Sequence, residues 1–176
     1  AIRALEGAGV DVCDEITVFS EDSNKVVMVP WYSSIADLKE AIKRIGDTIN
    51  PSQYDLIIHA PVDNVIFGIP DHGLTADELS ELGFYRVFAG HYHNFKDFEN
   101  GVYSVGATTH QTWSDIKSKA GFLIINEPEV AVSSPNVEWR CTNAPLFIEL
   151  DGTESDGDAK LLVNGNYVRI KADEVT

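Results

Sequence analysis

Three short, unbroken apolar runs constrain this chain more than any other feature: Val26-Val27-Met28-Val29, Leu56-Ile57-Ile58 and Val87-Phe88-Ala89. A run without polar alternation suits a strand covered on both faces. Pro30 stops the first run, His59 ends the second and Gly90 ends the third. Between the first two, Ile35, Leu38, Ile42, Ile45 and Ile49 recur at helical spacing, which predicts a helix over residues 35–49 capped by Ser33 or Ser34. Asp37 and Glu40 lie early in it, and Lys43 and Arg44 late, as the helix dipole favours. A second helix, over residues 76–82, is predicted behind Thr75.

Upstream, residues 10–19 read as strand and turn, and the polar Glu21-Asp22-Ser23-Asn24 joins them to the first run as a hairpin. After a long loop over residues 60–74 and a polar segment over 94–100, the chain reads mostly as strand. The predicted strands cover residues 102–105, 121–125, 137–141, 146–150, 160–163 and 167–170, with Asn164-Gly165 as a hairpin turn between the last two. Residues 127–136, rich in proline and serine, read as a linker. They separate a larger domain, 1–126, from a β-rich accessory or capping segment, 137–176. The order predicts an α/β fold, a layered core closing with antiparallel strands.

The 176 residues suffice for one domain with a core, and 44% hydrophobic content is ordinary for a globular protein. No apolar run approaches the ~20 residues of a membrane span. Ala1-Ile2-Arg3-Ala4-Leu5 has no signal-peptide pattern and no initiator Met, so the numbering is expected to start after processing or inside a longer protein. Cys13 and Cys141 belong to no ligand spacing and are expected to be reduced, buried or half-buried thiols of a cytoplasmic protein. The net charge is −15, with 13 scattered basic residues, which argues against a non-specific grip on nucleic acid by this segment alone.

All five histidines fall between His59 and His110. His59, His91 and His93 stand where apolar runs end, and ligands of open α/β sheets bind at the carboxyl ends of strands. Neutral imidazole is a common ligand for divalent metals. If Gly90-His91-Tyr92-His93 is extended, His91 and His93 face one way and Tyr92 the other, toward packing. Gly90 would let the backbone turn or approach closely. A lone histidine at a strand end is more often a hydrogen-bonded structural residue; three of them favour metal binding. His72 in Asp71-His72-Gly73 and His110 in Thr108-Thr109-His110-Gln111 are candidates to face a substrate, against the plainer readings of an exposed loop residue and a structural one. Asn94 is a candidate to support the ligands. Trp31, Trp113 and Trp139 are most simply core or interface aromatics.

Leu56-Ile57-Ile58-His59-Ala60-Pro61, followed by Val87-Phe88-Ala89-Gly90-His91-Tyr92-His93, resembles the last two signature motifs of calcineurin-like metallophosphoesterases. Val102-Tyr103-Ser104-Val105-Gly106-Ala107 resembles the strand that follows them. Trp113-Ser114-Asp115, Lys119-Ala120-Gly121-Phe122 and Val26 to Pro30 look like the branch containing the nuclease subunit of bacterial and phage SbcCD-type complexes. The resemblance covers residues 1–126. It implies half of a layered α/β/β/α sandwich followed by a small β-rich appendage. It implies that His59 and His91 bind one metal and His93 another. Two such metals clamp a phosphate ester for in-line attack. Mn²⁺ is the expected ion, with Fe, Zn and Mg as alternatives.

The family also has earlier Asp-x-His, Gly-Asp and Gly-Asn-His-Asp motifs, and none occurs here; no histidine precedes His59. The chain is therefore expected to be a fragment, inactive alone, whose catalytic histidine lies upstream; a degenerate homologue is the alternative. The leading expectation is a DNA exo- or endonuclease subunit working with an SbcC-type ATPase partner, with a homodimer left open and no membrane association. A phosphoesterase for small or protein-bound esters and a non-catalytic interaction domain are the alternatives.

Overall fold

The computed structural model describes residues 6–21, 24–126 and 137–171, so the expected linker at 127–136 lies outside the described residues. The chain forms a mixed α/β structure with two compact units. The first runs to His91 and includes Lys96–Ser104; the second comprises Tyr92–Phe95 and the chain from Val105 onward. Residues 105–126 thus fall with the C-terminal segment. Among the described residues no helix is long and apolar enough to cross a membrane.

The apolar runs became the centre of a six-stranded sheet. Strands β1 (Thr17–Glu21) and β2 (Asn24–Val29) pair antiparallel, as a hairpin requires. β2 lies parallel to β3 (Asp55–His59), and β3 parallel to β4 (Arg86–Gly90). Strands β5 (Phe95–Asp97) and β6 (Val102–Val105) complete the order β1-β2-β3-β4-β6-β5. β5 lies inside the stretch expected to be a polar connection.

Side chains alternate across a strand, so one sheet face collects Val27, Val29, Leu56, Ile58, Val87, Ala89 and Val102. They pack with Leu38 and Ile42 of helix α1 (Ile35–Gly46) and Leu79 of α2 (Ala76–Glu81). Each fully buried Val, Leu or Ile among them contributes about 1.5–3 kcal/mol. On the opposite face Phe88 is buried and stacks on Tyr103, so β4 is covered on both sides. Ser34 caps α1 by accepting from the Asp37 amide at 3.2 Å. Thr75 and Glu78 form a reciprocal capping box that starts α2.

The loop between β3 and α2 is closed at its base. Asp63, 8% exposed, accepts from the amides of His72 and Gly73 at 3.0 and 2.9 Å. The Asp63 amide donates to Leu74 O, and the Leu74 amide to Pro61 O. Gly73 is required there, because a Cβ would meet Pro61 O at 2.2 Å.

The second unit holds an antiparallel pair, β7 (Gly121–Ile125) with β8 (Val137–Cys141), and a parallel pair, β9 (Phe147–Leu150) with β10 (Tyr167–Ile170). The expected hairpin around Asn164-Gly165 is absent. Residues expected as turn and strand instead form α3 (Asp156–Val163), capped by Ser155, which accepts from the Asp158 amide. Parallel β9 and β10 need a crossover, and α3 is that connection. The thiols also depart from expectation: Cys13 is half-buried against Met28, but Cys141 is exposed.

Candidate functional site

In the first unit, the β3–β4 ladder pairs Asp55 with Arg86 at its start and His59 with Gly90 at its end. The Ala60 amide extends the pairing by donating to Gly90 O at 2.9 Å. His59 therefore closes β3 and His91 follows β4 on the neighbouring strand. Their ring centroids lie 5.5 Å apart with the planes 82° to each other, and both residues are exposed. Gly90 continues the ladder as the last residue of β4 and is not among the left-handed glycines.

Trp31, expected in a core or interface, is 56% exposed and joins this pair. It follows the proline that ends β2, the strand beside β3. Its ring lies parallel to His91 at 5.9 Å and edge-on to His59 at 5.6 Å.

His93 belongs to the second unit. Residues 91–94 form bends rather than extended strand, so strand alternation does not govern where His91, Tyr92 and His93 point. His93 has a partner from outside the histidine run: Asp115 Oδ1 lies 2.9 Å from its Nδ1. Asp115 is 5% exposed. Its Oδ2 accepts from the amides of Gln111 and Thr112 at 2.8 and 2.9 Å. Burial pushes the Asp115 carboxyl up, but those amides and His93 together hold it below the usual carboxylate range. The sequence signal was Thr112-x-x-Asp115, which forms a capping box around the turn Trp113–Asp115. Gly106, at φ +74°, lets the chain pass so close to His93 and Asn94 that a Cβ would lie 2.9 Å from the Phe95 amide nitrogen.

The remaining candidates take other places. His72 is exposed on the loop, with Nδ1 2.8 Å from Pro70 O. Asn94 is half-buried. His110 is buried at 6% exposure, and both its ring nitrogens engage backbone. Nδ1 accepts from the Phe147 amide at 3.0 Å, and Nε2 lies 3.0 Å from Ser118 O. His110 therefore ties segments of the second unit together.

Among the described residues, no three of the His, Cys, Asp and Glu side chains gather into a metal-holding group. No protein-family model matches the sequence, and no curated protein matches it.

Proposed function

We propose that this chain takes part in metal-dependent phosphodiester hydrolysis, corresponding to the C-terminal half of a calcineurin-like α/β/β/α sandwich, with DNA as the substrate. One observation carries the reading: His59 and His91 stand side by side at the carboxyl ends of neighbouring parallel strands, 5.5 Å between rings. Open α/β sheets bind ligands at such ends. The motif resemblance supplies the reaction class.

The donors fit divalent ions of the Mn²⁺, Fe or Zn type, for which imidazole is suited. His59 and His91 would hold one ion, and His93 would contribute Nε2 to another while Asp115 occupies Nδ1. When bound, an ion at His59 and His91 would supply Lewis acidity at a phosphoryl group and acidify a water toward neutrality. The chain's own residues orient: the strand ladder sets the spacing of His59 and His91, and Trp31 restricts the His91 ring by lying against its face. A net charge of −15 opposes a polyanion, and bound cations together with a basic partner, an SbcC-type ATPase in a cytoplasmic complex, would offset it.

The test is Mn²⁺-dependent cleavage of single- and double-stranded DNA by the whole gene product, beside turnover of bis(p-nitrophenyl) phosphate. Cleavage of DNA that disappears in His59→Ala and His91→Ala is the expected result. Good turnover of the small diester with no DNA cleaved would sink the nuclease reading.

A further inference from the structure

We propose that Asp115 is a positioning residue for His93, holding its imidazole in the tautomer whose Nε2 carries the lone pair, as ligand for a divalent cation. The inference rests on the reading of His93 as a metal-binding side chain, and it adds a residue outside the histidine motif.

The geometry has three parts. The carboxylate is an acceptor on both oxygens: Oδ2 receives the Gln111 and Thr112 amides, and Oδ1 faces His93 Nδ1 at 2.9 Å. An acceptor there requires the proton on Nδ1, which leaves Nε2 as the unprotonated nitrogen of a neutral ring. Burial then grades outward. The Asp115 side chain is 7% exposed and that of His93 31%, so the anchor is enclosed while the ring reaches solvent. Finally, the backbone around the ring is fixed. The Ala107 amide donates to His93 O at 3.2 Å, and Gly106 permits the close approach. An aspartate acting only as a cap for the Trp113–Asp115 turn would need Oδ2 alone. The second oxygen directed at His93 is the feature a cap leaves unexplained. Carboxylates that orient ligating histidines this way typically change metal affinity 10- to 100-fold when removed.

The test combines imidazole nitrogen NMR of the metal-free chain with Mn²⁺ titration followed by electron paramagnetic resonance. The variants are Asp115→Asn, Thr112→Val and His93→Ala. In Asp115→Asn the amide oxygen can keep the backbone bonds while the NH₂ faces His93, so the turn is retained but the ring must accept. The wild-type chain is expected to show Nδ1–H. Asp115→Asn is expected to switch to Nε2–H and weaken Mn²⁺ binding about tenfold. Thr112→Val, which trims the cap but leaves the carboxylate in place, is expected to change neither. The same tautomer in wild type and Asp115→Asn would overturn the positioning role. A tautomer switch with Mn²⁺ affinity unchanged in both Asp115→Asn and His93→Ala would overturn the cation reading of His93 instead.

Discussion

The ladder that ends at His59 and Gly90 begins with an ion pair whose removal tests what holds these strands in register. Arg86 meets Asp55 through two bonds, Nε to Oδ1 at 2.8 Å and NH2 to Oδ2 at 2.6 Å. The two side chains are only 14% and 12% exposed. Truncating Asp55 to Ala strands the guanidinium where water reaches it poorly. Losing one partner of a buried pair costs about 3–5 kcal/mol. The lower end of that range applies, because the pair is only part-buried, and the Arg86 contact over Tyr85 at 4.8 Å is made with or without Asp55. The expected net loss is about 3 kcal/mol. With a urea m-value of about 2 kcal/mol/M, the midpoint should fall by about 1.5 M. The pair Asp55→Leu with Arg86→Met removes both charges and should recover most of the loss. Urea unfolding followed by circular dichroism compares the wild type with both variants. A midpoint drop below about 0.3 M for Asp55→Ala, or a double variant no more stable than Asp55→Ala, would refute the reasoning.

Further outcomes follow from other contacts. Gly106→Ala should destabilise by about 2 kcal/mol or more in thermal unfolding, since φ is +74° and the new Cβ meets the Phe95 amide nitrogen at 2.9 Å. Mn²⁺ should quench part of the tryptophan emission through Trp31 beside His91, and Trp31→Phe should abolish that part; quenching of equal size in Trp31→Phe refutes it. The Glu78 carboxyl is held below its ordinary value of 4.5 by its hydrogen bond to Lys39 and then by the Thr75 amide. A lowered folded value means the stabilisation is present above about pH 4.5 and is lost as pH falls through the lowered value. Glu78→Gln should flatten that acid limb by a few tenths of a kcal/mol at most, because the Lys39 pair is nearly half exposed.

Much of the first unit was legible because its signals are local. Unbroken apolar runs marked β2, β3 and β4, helical spacing with Ser34 marked α1, and Thr75 with Glu78 marked α2. The neighbourhood of His59 and His91 followed from runs that end in histidine. The tail misled because Lys160 to Val163 is too short for periodicity to separate strand from helix, and Asn164-Gly165 spoke for a hairpin. The acidic first turn behind Ser155 was the competing signal, and it matched the structure. Asp115 was out of reach for another reason. It stands 22 residues from His93, and only folding brings the two together. The exposed place of Trp31 beside the two histidines was not legible, because an aromatic suits a core and a surface edge equally well.

The clamp at Asp63 makes one stretch of this molecule free to diverge. Because Pro61, Asp63, Gly73 and Leu74 close the base of the loop, with Asn64 and Val65 tied down beside them, the exposed stretch from Phe67 to Asp71 can lengthen or change with little strain on β3 or α2. Doubling such a closed loop costs only about 0.6 kcal/mol. Phe67, fully exposed at 104%, sits inside it. Selection can therefore rewrite the segment that follows His59 while leaving the histidine's own strand untouched.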